Sequence, residues 1–235
     1  MNITLTANKM FDWKLPLTGK VSDVMRAFGI TVQRLKSNAI LHNCTINLSP
    51  GQICYITGPS GSGKSVILRE FYNHCENENK LNIDDIPLAN DKTCVDAIEK
   101  ITNNQDTNYK RITNNQRANS NTGFLEILRT LSYAGLTDVF CVLNSPANLS
   151  EGQKYRYRIA KAIASDKQFI FADEFCSQLD RVTAAVISHN LRKFATKTGK
   201  TFILASAHDD LLADLRPEVI VIKHLAGEAE VVYKN

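Results

Sequence analysis

No apolar run in this 235-residue chain approaches the roughly 20 residues that cross a bilayer. Met1 to Leu17 lacks the apolar stretch of a secretory leader and carries Asn, Thr, Lys and Asp instead. The six cysteines (Cys44, Cys54, Cys75, Cys94, Cys141, Cys176) form no C-x-x-C pair and no Cys/His ligand spacing. Most stand among apolar residues, which reads as buried, reduced thiols of a cytoplasmic protein. No internal repeat is visible. Charge of one sign is also scarce: 28 Lys and Arg against 24 Asp and Glu leave +4, and the signs are interspersed. Such a balance does not single out nucleic acid. Hydrophobic residues make up 43% of the chain, enough for the core of one domain, or of one domain with a subdomain.

The sharpest stretch is Gly58-Pro59-Ser60-Gly61-Ser62-Gly63-Lys64-Ser65, which fits the phosphate-loop spacing G-x-x-x-x-G-K-[ST]. Glycines at 58, 61 and 63 let the backbone turn tightly and approach a phosphate with no Cβ between them. The turned backbone points N–H groups inward, and a following helix adds its positive end. Lys64 can reach β- and γ-phosphates, and the Ser65 hydroxyl can ligate Mg²⁺. Gln52–Thr57 reads as a strand leading in, and Ser65–Phe71 as a helix leading out.

Around this stretch the chain reads as follows. Residues 1–39 form an extension in which Val21–Phe28 suggests a short helix, with Val21, Val24, Met25 and Phe28 on one side. Ile40–Leu48 alternates like a strand, and Ser49-Pro50-Gly51 is a turn signal, so a hairpin with Gln52–Thr57 is expected. Leu81-Asn82-Ile83 is a weak strand, and Cys94–Ile98 a short helix. Residues 103–122 are rich in Asn, Thr, Gln and Arg and read as a solvated polar insertion. Helical periodicity returns with Phe124, Ile127, Leu128 and Leu131, and again over Leu136–Leu143. Ser150 and Glu151 suit the start of a helix over 154–164. Gln168–Ala172 is of buried-strand length and ends in Asp173-Glu174, where open α/β sheets bind ligands. There the first acid can hold Mg²⁺, and the second can orient or deprotonate a water. Arg181–Thr196 predicts a helix with Val182, Ala185, Val186 and His189 on one face. Thr201–Ala205 predicts a buried strand ending at Ser206-Ala207-His208, and Val219–Ile222 with Glu230–Tyr233, flanking Ala226-Gly227, a terminal hairpin. His42, His74, His189 and His224 have no motif context and read as ordinary.

Taken together, Gly58–Ser65, Leu149–Gln153, Phe169–Glu174, Ser177–Asp180 and His208 resemble, in order, the Walker A, signature, Walker B, D-loop and switch histidine of the ATP-binding cassette (ABC) ATPases. The match covers about residues 40 to 233, with Glu151 where the commonest signature has Gly. In finer detail, Leu149–Arg156, Asp173–Phe175, Leu179–Ala184 and Asp210–Pro217 look like the branch found fused to a predicted acetyltransferase domain, for which this chain has no room.

The resemblance implies an α/β fold of P-loop type. It has a parallel-centred sheet flanked by helices, an antiparallel β part and a small helical subdomain near residues 90–165, with the ATPase domain spanning 40–235. It implies ATP hydrolysis with Mg²⁺. Nucleotide would be held by Gly58, Pro59, Ser60, Gly61, Ser62, Gly63, Lys64, Ser65 and Val66. Ser65 and Asp173 would organise Mg²⁺, Glu174 would polarise the attacking water, and His208 would contact the γ-phosphate. Lys64 would belong to the catalytic set. Ser150, Gly152 and Gln153 would close on the ATP of a second, head-to-tail copy, with Asp180 across the same seam. The family's glutamine before the signature has no match, leaving Asp84 or Asp85 as acidic substitutes, since Gln105 and Gln116 lie in the polar insertion. Phe28, Phe11 and Trp13 are candidates to stack the adenine. Three uses of this engine compete. They are a soluble ATPase with a nucleic-acid or macromolecular partner, the nucleotide-binding subunit of a membrane transporter with a separate transmembrane chain, and a non-hydrolysing interaction module. The intact Glu174 and His208 speak against the third. The missing glutamine and the polar insertion favour the first over the second.

Overall fold

The computed structural model describes residues 2–11, 14–37, 40–98, 116–225 and 227–234. In chain order the first elements are β1 (Ile3–Phe11), α1 (Gly19–Ala27), α2 (Val32–Ser37), β2 (Ile40–Leu48), β3 (Ile53–Thr57), α3 (Lys64–His74) and β4 (Lys80–Asn82). The middle holds α4 (Cys94–Ala97), α5 (Gln116–Tyr133), α6 (Val139–Val142), α7 (Glu151–Ala164) and β5 (Phe169–Ala172). The chain closes with α8 (Arg181–Thr198), β6 (Thr201–Ala205), α9 (Leu212–Leu215), β7 (Val219–Lys223) and β8 (Ala229–Tyr233).

Two residue patterns make two kinds of strand. β3 is Ile-Cys-Tyr-Ile-Thr, buried at every position. Such a strand needs a partner on each edge and a layer on each face. It lies at the centre of a six-stranded sheet ordered β4-β5-β6-β3-β7-β8, parallel except for the antiparallel β7–β8 pair. β2 instead alternates, with His42, Cys44, Ile46 and Leu48 buried and the residues between them exposed. A one-faced strand suits a two-stranded antiparallel sheet, and β2 pairs along its whole length with β1. The expected hairpin of Ile40–Leu48 with Gln52–Thr57 therefore does not form. The turn at Ser49–Gln52 is real, since Ser49 N–H donates to Gln52 Oε1 at 2.8 Å, but it carries the chain from one sheet to the other. Residues 3–11 are likewise not a separate extension, because β1 completes the small sheet.

Alternate residues of the central strands feed two cores. Cys54, Ile56, Phe171, Ile203 and Ala205 pack under α3 and the β1–β2 sheet, with Leu5, Ile46 and Phe71. Ile53, Tyr55, Ile170, Ala172, Phe202 and Leu204 pack on the opposite face under α7 and α8 and the helical part built from α4 to α6. The terminal hairpin forms as expected.

Several helix expectations need correction. On α8 the buried face is Ala184, Ile187, Ser188, Leu191 and Ala195. Val182 and Val186, which the sequence sets on one face with Ala185 and His189, are 75% and 50% exposed. Small residues let α8 lie close to the sheet, and apolar periodicity alone points to the wrong side. On α1 only Met25 is buried, while Val24 and Phe28 face solvent. α5 begins at Gln116, so residues 116–122 of the polar insertion are helical, and residues 103–115 lie outside the described residues.

All six cysteines are buried, as the sequence suggests. Burial pushes the Cys44, Cys75 and Cys94 thiols up to about 11 from 9.0. Between those values the unfolded chain has released protons that the folded chain still holds, so stability falls as pH rises. Each thiol contributes a slope of about 1.4 kcal/mol per pH unit. Burial lowers Lys200 to about 8 from 10.5 and also lowers Lys223, and these lysines work in the opposite direction. The expected result under reducing conditions is a urea midpoint that drops clearly between pH 8 and pH 10. A midpoint that holds or rises would contradict protonated, buried thiols.

Candidate nucleotide site

Three adjacent parallel strands end level with one another, and each delivers a motif. The registers Ile56↔Ala205 and Ala172↔Leu204 align β3, β6 and β5 at their C-terminal ends. Beyond those ends Ser206 N–H donates to Ile56 O at 3.0 Å and Phe175 N–H to Ala205 O at 2.8 Å. The phosphate loop, Asp173-Glu174 and the His208 loop are thus neighbours at the edge where an open α/β sheet binds ligands.

Within the phosphate loop Gly58, Gly61 and Gly63 have φ of 144, 77 and 100°. An added Cβ at Gly58 would fall on the Lys223 carbonyl, and one at Gly63 on the His42 ring. Glycine is therefore required at both positions for conformation and for space. Gly63 caps α3 without a side chain, so the first N–H groups of the helix are left to face the loop. Lys64 is buried and its Nζ donates to Gly58 O at 2.9 Å and Pro59 O at 3.1 Å. Ser62 Oγ is buried with no hydrogen-bond partner among the described residues, which suits a phosphate oxygen. Pro59, Ser60 and Gly61 form the exposed rim, and Val66 N–H donates to Gly63 O at 3.0 Å.

Ser65 sits half-buried in the first turn of α3, and Asp173 half-buried at the end of β5. Among the described residues no group of three or more His, Cys, Asp or Glu could hold a metal. A hydroxyl and one carboxylate fit Mg²⁺, which takes its other ligands from phosphate and water. Glu174 is exposed and holds a left-handed φ of 45°. Its N–H donates to Asp173 Oδ1 at 3.0 Å and its carbonyl accepts the Ser177 N–H at 3.0 Å. Cys176 follows at φ 58°, its N–H bonded to Tyr155 Oη at 3.1 Å. Two non-glycine residues in this region cost roughly 1–3 kcal/mol each and persist only where surroundings impose them. The His208 side chain is exposed, and its carbonyl accepts the Tyr55 hydroxyl at 2.6 Å.

The signature builds a capping box at the start of α7. Ser150 N–H donates to Gln153 Oε1 at 3.0 Å and Gln153 N–H to Ser150 Oγ at 3.4 Å. Gln153 Nε2 also donates to Cys141 Sγ at 2.9 Å. Gly152 lies against Leu179 and Gln178, so the signature and the loop carrying Asp180 share a surface. Asp180 caps α8 through Thr183, whose hydrogen bonds hold the Asp180 carboxyl below its usual range. Among the described residues no hydrogen bond joins Ser150, Gly152, Gln153 or Asp180 to the phosphate loop of the same chain.

Some residues gain importance from the structure. Asp84 follows β4, and burial and the nearby Asp173 charge both raise its pKa. Of the two acidic substitutes for the missing glutamine, the structure places Asp84 beside the Walker B aspartate. Gln105 lies outside the described residues. His42, ordinary in sequence, is buried against Gly63, where burial and the Lys223 charge lower its pKa. Its place in the buried alternation of β2 was the only sequence signal. Among the adenine-stacking candidates, Phe28 ends α1 exposed to solvent, Phe11 ends β1, and Trp13 lies outside the described residues.

A phosphate loop followed by a helix, and an Asp-Glu pair at the end of a neighbouring parallel strand, define the P-loop nucleoside triphosphatase class. The chain belongs to the ABC transporter family, whose model matches residues 41–177. It is similar to the methionine import ATP-binding protein MetN of Streptococcus pneumoniae, 27% identical over 85% of this chain and 62% of that protein. MetN 2 of Pectobacterium atrosepticum is 32% identical over 72% of this chain and 54% of that protein. The chain thus spans less than two thirds of these relatives. A dimeric structure of MJ0796, a bacterial ABC transporter cassette, has the same fold with a TM-score of 0.63 at 20% identity, covering 99% of this chain and 98% of that one. These likenesses favour the transporter alternative over the soluble macromolecular role preferred from sequence, and they support no nucleic-acid partner. The acetyltransferase-fused branch is not among the relatives named here.

Proposed function

We propose that this chain is the ATP-binding and ATP-hydrolysing subunit of an ABC transport assembly. It works as a head-to-tail pair whose closure is passed to a separate membrane-spanning chain. The observation that carries the reading is the convergence of Gly58–Ser65, Asp173-Glu174 and His208 at one sheet edge, with a complete but unengaged signature cap at Ser150. Loop N–H groups, the Ser62 hydroxyl and Lys64 bind the phosphates. Ser65 and Asp173 would hold Mg²⁺, which when bound neutralises charge on the β- and γ-phosphate oxygens. Glu174 accepts hydrogen bonds from, and orients, the attacking water. His208 contacts the γ-phosphate. The positive start of α7 closes on the partner's nucleotide. Among the described residues no helix is long and apolar enough to cross a membrane, so the spanning part would come from elsewhere.

The test is phosphate release from ATP-Mg²⁺ with and without a multi-span membrane protein, sought among the products of neighbouring genes and reconstituted in vesicles. Hydrolysis that is lost in Lys64→Ala and stimulated by the membrane partner is expected. Hydrolysis indifferent to any membrane chain, with stable capture of a nucleic acid at low salt, would return the soluble reading.

A further inference from the structure

The loop that presents His208 is held from two sides by groups outside the motifs that carry the chemistry. From the sheet, Tyr55 is fully buried on β3 and donates its hydroxyl to the His208 carbonyl at 2.6 Å. One turn of strand further, Thr57 donates its hydroxyl to the Asp209 carboxylate. From outside, Arg181 forms an ion pair with Asp210. Arg181 is the first residue of α8 and directly follows Asp180. It also lies close enough to Tyr55 for its charge to act on that hydroxyl, as does Asp209. Three residues from two elements thus converge on one short loop.

Their placement separates support from transmission. Tyr55 and Thr57 belong to the rigid central strand and fix the loop to the sheet. Arg181 and Asp210 are 60% and 38% exposed, so their pair adds little to folding. It does join two functional corners. One corner is Asp180, packed through Leu179 against the signature residue Gly152. The other is His208. Among the residues described, this is the one ion pair that links the two loops.

We propose that the Arg181–Asp210 ion pair is a latch that positions His208 according to the state of the Asp180 corner, so that closure of the signature side sets the γ-phosphate side for hydrolysis. Arg181 and Asp210 are positioning residues, and neither touches nucleotide. The inference rests on the proposed ATPase reading for its rate effect. It does not rest on it for the loop geometry, which can be measured in the free chain.

The experiment compares Arg181→Glu, Asp210→Arg and the swapped double variant Arg181→Glu/Asp210→Arg with the parent. The first readout is hydrogen exchange of the 208–211 backbone amides in the free chain. Each single variant should exchange about tenfold faster there, and the swap should restore protection. The second is steady-state ATPase. The single variants should lose about tenfold in kcat with KM for ATP within about twofold, and the swap should recover most of the rate. Melting temperatures should stay within about 3 °C of the parent, because an exposed pair contributes little. Unchanged exchange at 208–211 in the single variants overturns the latch, whether or not the chain hydrolyses ATP. A swap that leaves kcat low while ATP binds normally also overturns it. A parent chain without ATPase activity defeats the proposed function and leaves the exchange result to decide the latch.

Discussion

Glu174→Gln should bind ATP-Mg²⁺ as tightly as the parent and lose roughly 10³-fold in turnover, the scale set by a positioned general base. The reason is local. Glu174 sits at the end of β5 with its side chain exposed, and its backbone is fixed by Asp173 Oδ1, the Ser177 N–H and the buried Phe175 beside it. Glutamine fills the same space and keeps the same φ, so the loop geometry survives. What it loses is the negative charge that accepts a proton from water. None of the phosphate-binding groups is touched. Single-turnover phosphate release and ATP affinity, measured side by side, separate the two effects. A variant that turns over at the parent rate would remove Glu174 from the chemistry. One that fails to bind ATP would show that its loop is structural.

Gly58→Ala should be the most damaging single-methyl change in the chain. The φ of 144° is a region that residues with a side chain avoid, and the added methyl would meet the Lys223 carbonyl. That carbonyl belongs to β7, paired with β3 on one edge and β8 on the other, so it cannot withdraw. The loop must move instead. A destabilisation of about 3–4 kcal/mol and loss of ATP binding are expected, combining overpacking with backbone strain. Gly61→Ala supplies the contrast. Its Cβ would meet nothing within 4 Å, which leaves only the left-handed conformation, a cost of about 1–2 kcal/mol. Gly63→Ala should fall between the two, because its obstacle is the His42 side chain, and His42→Ala should relieve part of the damage. Chemical denaturation and ATP affinity across the set test this order. Equal effects at 58 and 61 would mean that the Lys223 carbonyl does not confine the loop.

How much of this was legible in sequence depended on range. The phosphate loop, the Asp173-Glu174 strand end and the Ser150 cap are each written in a few consecutive residues, and the structure has them where the spacing puts them. The pairing of β1 with β2 spans the α1 and α2 segment, and no local pattern announces it. The hairpin expected of β2 and β3 came from a genuine turn. What overrode it was burial: β3 is apolar on both faces, and only parallel neighbours with covering layers satisfy that. The inner face of α8 was not legible because Ala184, Ser188 and Ala195 lie there, small residues that mark close packing but carry little hydrophobic signal. Within the site, the contacts of Tyr55, Thr57, Arg181 and Asp210 around His208 join residues far apart in the chain and had no motif to reveal them. The same holds for Asp84 beside Asp173 and His42 beside Gly63.

The phosphate loop alone would serve many nucleoside triphosphatases. What narrows it is the signature cap, whose donors are arranged at the start of α7 and make no hydrogen bond to the loop of the same chain. The functional unit proposed is therefore a pair of chains, each lending its Ser150–Gln153 edge to the nucleotide of the other. Sedimentation velocity of Glu174→Gln beside Glu174→Gln/Ser150→Arg, each with and without ATP-Mg²⁺, tests this most directly. A composite site predicts that both bind ATP equally, that Glu174→Gln becomes a dimer only with ATP, and that the added arginine keeps the chain monomeric. Equal ATP-dependent dimerisation of the two, or a Glu174→Gln chain that stays monomeric with ATP bound, would contradict it.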